Sequence, residues 1–141
     1  MAKRKRSAIV KELDKVFSQY IRLKAANLDG FAECVTCGKV DHWKKLQCGH
    51  FMSRRKYSTR WTAEPIPNCA PQCYGCNIGR QGEQFKFSIY LDQTYGEGSA
   101  DTLLRASNET IKYSDQDLLE LIEEFKQKLS AQKDFQEWSK Q

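Results

Sequence analysis

Hydrophobic positions divide the chain into two helical ends and a turn-rich middle. In residues 7–28, Ile9, Leu13, Val16, Phe17 and Tyr20 recur at the spacing of one helix face while Lys and Arg fill the rest. That pattern predicts a basic amphipathic helix ending near Asp29-Gly30, its stripe covering a core rather than entering a nucleic-acid groove. At the other end Leu118, Leu121, Ile122, Phe125 and Leu129 form a second stripe behind Ser114 or Asp115 as N-cap, predicting a helix to about Phe135. Residues 83–95 fit two periods: Phe85, Phe87, Ile89 and Leu91 alternate as in a strand, whereas Phe87, Leu91 and Tyr95 suit a helix stopped at Gly96. Helix is the reading adopted. A short helix over 101–106 and an extended piece over 110–113 complete this half.

The middle reads as strand, loop, strand. Residues 46–51 form the first strand, a loop reaches Trp61, and an extended piece surrounds Pro65-Ile66-Pro67, where the prolines forbid helix. A short helix opens over 74–79 and is interrupted by Gly79 and Gly82. No repeat is present, and one α+β domain over 1–141 is expected: a basic N-terminal tail and helix (1–30), a core (31–96) and a C-terminal helical extension (97–141).

A hydrophobic content of 40% in 141 residues is modest for a core, and a metal staple would supplement it. Two Cys-x-x-Cys pairs, Cys34/Cys37 and Cys73/Cys76, provide one. Four thiolates make a closed tetrahedral Zn²⁺ site, structural because no position is left for substrate. The 35 residues between the pairs exceed the 15–20 or so of a plain zinc ribbon, leaving room for a hairpin with polar residues on it. Neither an apolar signal segment nor about 18 consecutive apolar residues is seen. The expected compartment is the reducing cytoplasm, where six cysteines read as thiols rather than disulfides.

The net charge of +5 is unevenly spread. Residues 1–60 carry 15 Lys and Arg against 5 Asp and Glu, whereas residues 61–141 carry 8 against 13. Lys3-Arg4-Lys5-Arg6, and Arg54-Arg55-Lys56 followed by Arg60, are clusters suited to phosphate, which makes DNA the expected partner.

Between the knuckles lie the residues with chemistry to offer. Neutral imidazole accepts a proton from water, so His50 suits a general base. Asn68 is a candidate for fixing its ring. Asn77 offers a hard carbonyl oxygen of the kind Mg²⁺ or Mn²⁺ prefers, and Arg60 is a candidate phosphate clamp. His42 has no such company and reads as a surface residue of the knuckle loop. Trp61, Phe85 and Phe87 read as core.

Cys-x-x-Cys, then Gly-His and an aromatic, then Asn, then Cys-x-x-Cys-Asn resembles the HNH, or ββα-metal, endonuclease core. More narrowly, Cys48-Gly49-His50-Phe51-Met52-Ser53-Arg54, Thr59-Arg60-Trp61, Asn68, Gln72-Cys73 and Cys76-Asn77 are similar to the phage NinG recombination proteins, the lambda Rap endonuclease family. The pattern covers residues 31–96. The resemblance implies a zinc-stapled ββα-metal core flanked by N- and C-terminal helices. It further implies His50 as general base, Asn68 as the middle residue of the triad, Asn77 as ligand of a catalytic Mg²⁺ or Mn²⁺, and a preference for branched intermediates such as Holliday junctions and D-loops. Many HNH enzymes carry Asp directly before the histidine; here that position is Gly49, leaving one side-chain ligand, and spacing selects neither Asp41 nor Glu64 as a second. Cys48 and Cys69 read as small buried residues, since thiols match a hard cation poorly.

The expected function is therefore a metal-dependent, structure-specific DNA endonuclease acting in the cytoplasm, that of the host cell if the chain is phage-encoded. The alternatives are a catalytically silent zinc domain that binds nucleic acid and a protein-interaction module using the acidic terminal helix. Cutting a two-fold junction takes two nicks, which suggests a homodimer with Phe135 and Trp138 at its interface.

Overall fold

The computed structural model describes residues 3–140. Helix α1 spans Arg6–Ala25 and buries Ile9, Leu13, Val16, Phe17, Tyr20, Ile21 and Leu23, the predicted stripe extended by one turn. Its partner is α5, Asp115–Ser139, which buries Leu118, Ile122, Phe125 and Leu129. The helices run in the same direction, with Arg6 on Asp115 at their first turns (2.8 Å) and the Phe17 and Phe125 rings edge to face at 4.9 Å. Burying one such aromatic is worth roughly 1.5–3 kcal/mol, so the pair is held by its stripes. Ser114 starts α5 with a capping box, its hydroxyl accepting from Asp117 N while the Asp117 carboxylate accepts from Ser114 N. The helix continues past Phe135, where the stripe fades, because no breaker follows in the sequence.

Two antiparallel hairpins fill the middle. Strands β1 (Phe31–Glu33) and β2 (Val40–His42) carry the first knuckle at their turn, a hairpin too short to show as a period in the sequence. Strands β3 (Gln47–His50) and β4 (Cys69–Gln72) pair Gln47 with Gln72, Gly49 with Ala70 and His50 with Cys69. The second strand thus begins after the proline segment rather than within it. Pro71 is tolerated in β4 because its carbonyl faces away from β3, toward Val35 N (3.1 Å), where a missing N–H breaks no ladder bond. A four-residue α2, Tyr57–Arg60, lies in the connection between β3 and β4.

A single π-helical turn, Gly75–Gly79, follows β4, in place of the expected α-helical turn. Gly82 takes φ +90°, and α3 starts beyond it at Gln84–Tyr95, with α4 at Ser99–Ser107. Phe87 and Leu91 are buried, four residues apart on one face. Phe85 lies off that face and is 77% exposed, correcting its reading as core; Trp61 and Phe87 are core as expected. Residues 110–113 join α4 to α5 without forming a strand. The β3–β4 hairpin therefore stands between two cores. Cys69 packs with α1 and α5, while Ala70 packs with Phe51, Phe87, Leu91 and Leu103. Among the described residues, no helix is long and apolar enough to cross a membrane.

Candidate active site and metal centre

Cys34 and Cys37 come from the β1–β2 turn, Cys73 follows β4, and Cys76 lies in the π turn. Their four Sγ atoms lie within 4.8 Å of one another, and Cys37 and Cys73 Sγ are 3.7 Å apart. A tetrahedral Zn²⁺ with bonds of about 2.3 Å needs sulfurs about 3.8 Å apart, so the residues fit the metal. The surroundings favour the thiolate at Cys34 and at Cys76 but not at Cys37. Burial pushes the Cys34 thiol up, but the Thr36 hydroxyl and backbone N–H groups of Cys73, Thr36 and Cys37 outweigh it and bring it down to about 6. The Lys39 backbone draws Cys37 down, yet burial and the three other thiols push it up to about 12. Thiolates this close repel until a cation joins them. Arg80 Nη2 donates to Cys76 Sγ at 3.1 Å and Cys76 N to Cys73 Sγ at 3.4 Å, spreading the excess negative charge.

Gln72 ties this frame to the strand that carries His50. Its Nε2 donates to Thr36 Oγ1 (3.1 Å) and to Gly82 O (2.9 Å). That leaves the Thr36 hydroxyl proton for Cys34 Sγ, 3.4 Å away. The Gln72 chain crosses directly over Gly49, where a Cβ would lie 2.6 Å from Gln72 Cδ and 2.8 Å from Cγ. Gly49 is thus a close-approach glycine.

A cleft of about 780 Å³ opens beside the hairpin, lined by His50, Asn77, Gln47, Asp14, Arg22 and Arg54 among others. The structure thus brings His50 and Asn77 to one cavity. Burial, then Arg54, lowers the His50 pKa to about 4, with Arg60 adding to the effect against the pull of Asp14. The ring is therefore neutral at physiological pH, and its Nε2 is buried without a hydrogen-bond partner. Asn77 Nδ2 donates to Gln47 Oε1 at 2.7 Å, which turns its Oδ1 away from Gln47 and leaves that oxygen as a hard donor. Asn77 would offer a cation one carboxamide oxygen, which suits Mg²⁺ because that ion keeps several waters and takes substrate phosphates. Neither Asp41 nor Glu64 lines the cleft; Asp41 accepts from His42 N at 2.8 Å and Glu64 faces Lys128 at 3.9 Å.

Asn68 lies outside the cleft and fully buried. Its Oδ1 accepts from Met52 N (2.8 Å) and its Nδ2 donates to Met52 O (3.1 Å). It clasps the backbone leaving His50, not the imidazole, so it positions through the chain.

Arg60 is also committed elsewhere. Its Nε and Nη2 fork onto the Asp14 carboxylate at 3.2 and 2.6 Å, its Nη1 donates to Arg54 O at 3.0 Å, and it stacks on Tyr57 and Trp61. Asp14 also accepts from Trp61 Nε1 at 2.9 Å. The expected phosphate clamp is an internal brace. Arg54 lines the cleft, 63% exposed and 3.8 Å from the same carboxylate, and the next two residues, Arg55 and Lys56, are exposed. Of the N-terminal cluster, Lys3 and Lys5 are exposed, Arg4 pairs with Glu12 and Arg6 with Asp115. His42 stacks on Trp43 and meets the Phe31 ring edge to face.

Asp14, Gln47 and Gln72 are the site residues that sequence reasoning missed. Asp14 gives one signal, an acid next to Leu13 of the buried stripe in a predominantly basic helix.

The bacteriophage lambda NinG protein model matches residues 1–136. The chain belongs to the NinG family. No curated protein and no solved structure matches it. The match extends beyond the 31–96 segment that carries the motifs and includes both α1 and most of α5.

Proposed function

We propose that this NinG-family protein is a metal-dependent, structure-specific DNA endonuclease of the HNH, ββα-metal type, acting on branched recombination intermediates such as Holliday junctions and D-loops. The observation that carries the reading is a neutral, buried imidazole sharing one cleft with the free carboxamide oxygen of Asn77. Hairpin, histidine and helical turn follow the order of the ββα-metal pattern, with the four cysteines stapling it.

In this reading His50 accepts a proton from the attacking water; its depressed pKa keeps it available. Asn77, its amide tethered by Gln47, would hold Mg²⁺ or Mn²⁺ through its free oxygen, and such a cation would supply Lewis-acid charge stabilisation for phosphodiester hydrolysis. Arg54, Arg55 and Lys56 gather phosphates at the cleft mouth, and Arg60 keeps the connecting segment in place through Asp14. Products carry 5′-phosphate and 3′-hydroxyl ends.

One observation favours a second reading, a zinc domain that binds nucleic acid without cutting it: Gln72 fills the space in which a metal-binding side chain at position 49 would sit. The deciding experiment is cleavage of an end-labelled four-way junction and a matched duplex in Mg²⁺ or Mn²⁺, with His50→Ala alongside at equal zinc content. Junction cutting by the wild type alone supports the nuclease; silence from both with binding intact selects the binding domain.

A further inference from the structure

The β3–β4 register assembles a second set of soft ligands that the nuclease reading does not use. Cys48 and His50, two residues apart, share one face of β3, and Cys69 pairs directly with His50 across the ladder. The two thiols and one imidazole nitrogen lie within 4.8 Å of one another. This group is separate from the four-cysteine frame. Cys69 is buried against α1 and α5 with its Sγ 3.9 Å from the Arg60 carbonyl, whereas Cys48 and His50 line the cleft. The His50 Nε2 is buried and accepts no hydrogen bond from the protein, so its lone pair is uncommitted.

Two sulfurs and an imidazole form a set that selects a soft or borderline cation such as Zn²⁺ over Mg²⁺. Tetrahedral zinc places such atoms about 3.3–3.8 Å apart, so contraction by about an ångström completes three sides of the site. The fourth side faces the cleft, open to water or a phosphate oxygen. Hard and soft cations would thus be sorted, the first to Asn77 and the second to this triad.

We infer that Cys48, His50 and Cys69 form a second, reversible Zn²⁺ site that withdraws the imidazole from catalysis, making free zinc an inhibitor of the protein. The inhibitory role rests on the nuclease reading; the site itself does not. Zinc takes sulfur ligands as thiolates, so binding competes with protons and occupancy rises with pH. Removing a positioned base costs about 10²–10⁴-fold in rate, and zinc beyond the first equivalent is expected to lower cutting on that scale.

The test is titration of the metal-free protein with Co²⁺ and Zn²⁺, following thiolate-to-cobalt charge transfer and bound zinc, for the wild type, Cys48→Ala and Cys69→Ala. Two ions per wild-type chain and one per variant are expected; one ion in all three overturns the site. Junction cutting in excess Mg²⁺ is then measured at one and at two equivalents of zinc. Inhibition of the wild type and not the variants supports the regulatory role, and equal inhibition of all three overturns it. No cutting at one equivalent refutes the nuclease reading and the inhibitory role with it, while the ion count still decides the site.

Discussion

The side chain of Gln72 occupies the volume that any side chain at position 49 would require, a Cβ there lying 2.6 Å from Gln72 Cδ. The absence of an acidic residue before His50 is thus a packing fact as well as a chemical one. Gly49→Asp would expel Gln72 and break its bonds to Thr36 and Gly82 before adding a metal ligand. We predict that Gly49→Ala destabilises the protein by about 2–4 kcal/mol, as overpacking with loss of buried hydrogen bonds does. In the Gly49→Ala/Gln72→Ala double variant, the loss should be clearly smaller than the sum of the singles. Urea denaturation of the four proteins checks this, and additive losses would show that the two side chains do not compete.

Arg60 and Arg55 look interchangeable in the sequence, yet they occupy opposite positions in the electrostatics. Arg60 is braced on Asp14 with 13% of its side chain exposed, while Arg55 is exposed. Arg60→Ala is predicted to cost about 1.5–3 kcal/mol of stability through loss of its charged hydrogen bonds and to leave the salt dependence of DNA binding almost unchanged. Arg55→Ala should do the reverse, lowering the slope of log K against log salt by about one. Paired thermal melts and salt titrations separate the two; a reduced slope for Arg60→Ala would mean that the brace opens on DNA.

How far the sequence revealed this arrangement depends on the reach of each relationship. Helices α1 and α5 were legible because their stripes are local periods, and the four-cysteine frame because thiols three residues apart announce a knuckle. Residues 83–95 were ambiguous by period, and Phe85 was misplaced because its aromatic type alone assigned it to the core, whereas the helix that buries Phe87 and Leu91 turns it outward. What was hidden depended on register or on distant partners. Asp14 meets Arg60 across 46 residues, Gln72 crosses Gly49 only once the ladder is set, and Cys69 joins Cys48 and His50 only through that same register. Asn68 stood out in the motif but its partner did not, since nothing local separates a ring from the Met52 backbone.

Removing zinc should dismantle one part of the molecule and spare another. The thiols join the β1–β2 turn to the π turn, whereas α1 and α5 are joined by apolar packing that involves no cysteine of the frame. A strong chelator is predicted to strip amide-exchange protection from residues 31–42 and 73–82 while α1 and α5 keep most of theirs. The free energy of structural zinc binding, about 10–16 kcal/mol in finger peptides, is ample for this. Hydrogen-exchange mass spectrometry with and without chelator reads it directly, and unchanged protection across both segments would show that the hairpins stand without the metal.

His50 should leave a signature in the pH dependence of stability. Its pKa is about 4 in the folded protein against an ordinary 6.5, chiefly through burial. Between those values the unfolded chain binds a proton that the folded ring refuses, so stability falls as pH drops through this window and is unaffected above it. Each pKa unit is worth about 1.4 kcal/mol, giving about 3 kcal/mol in all for this mostly buried group. His50→Gln removes the titration while keeping a similar volume. The stability difference between wild type and His50→Gln, measured by urea denaturation at each pH with zinc held at one equivalent, should therefore shift against the wild type by about that amount from pH 6.5 to 4. Comparing the two at the same pH cancels acid loss of the shared zinc site. Parallel curves would mean that the imidazole is hydrated in solution, and a hydrated ring would return the acid limb of any cutting activity to the ordinary histidine range.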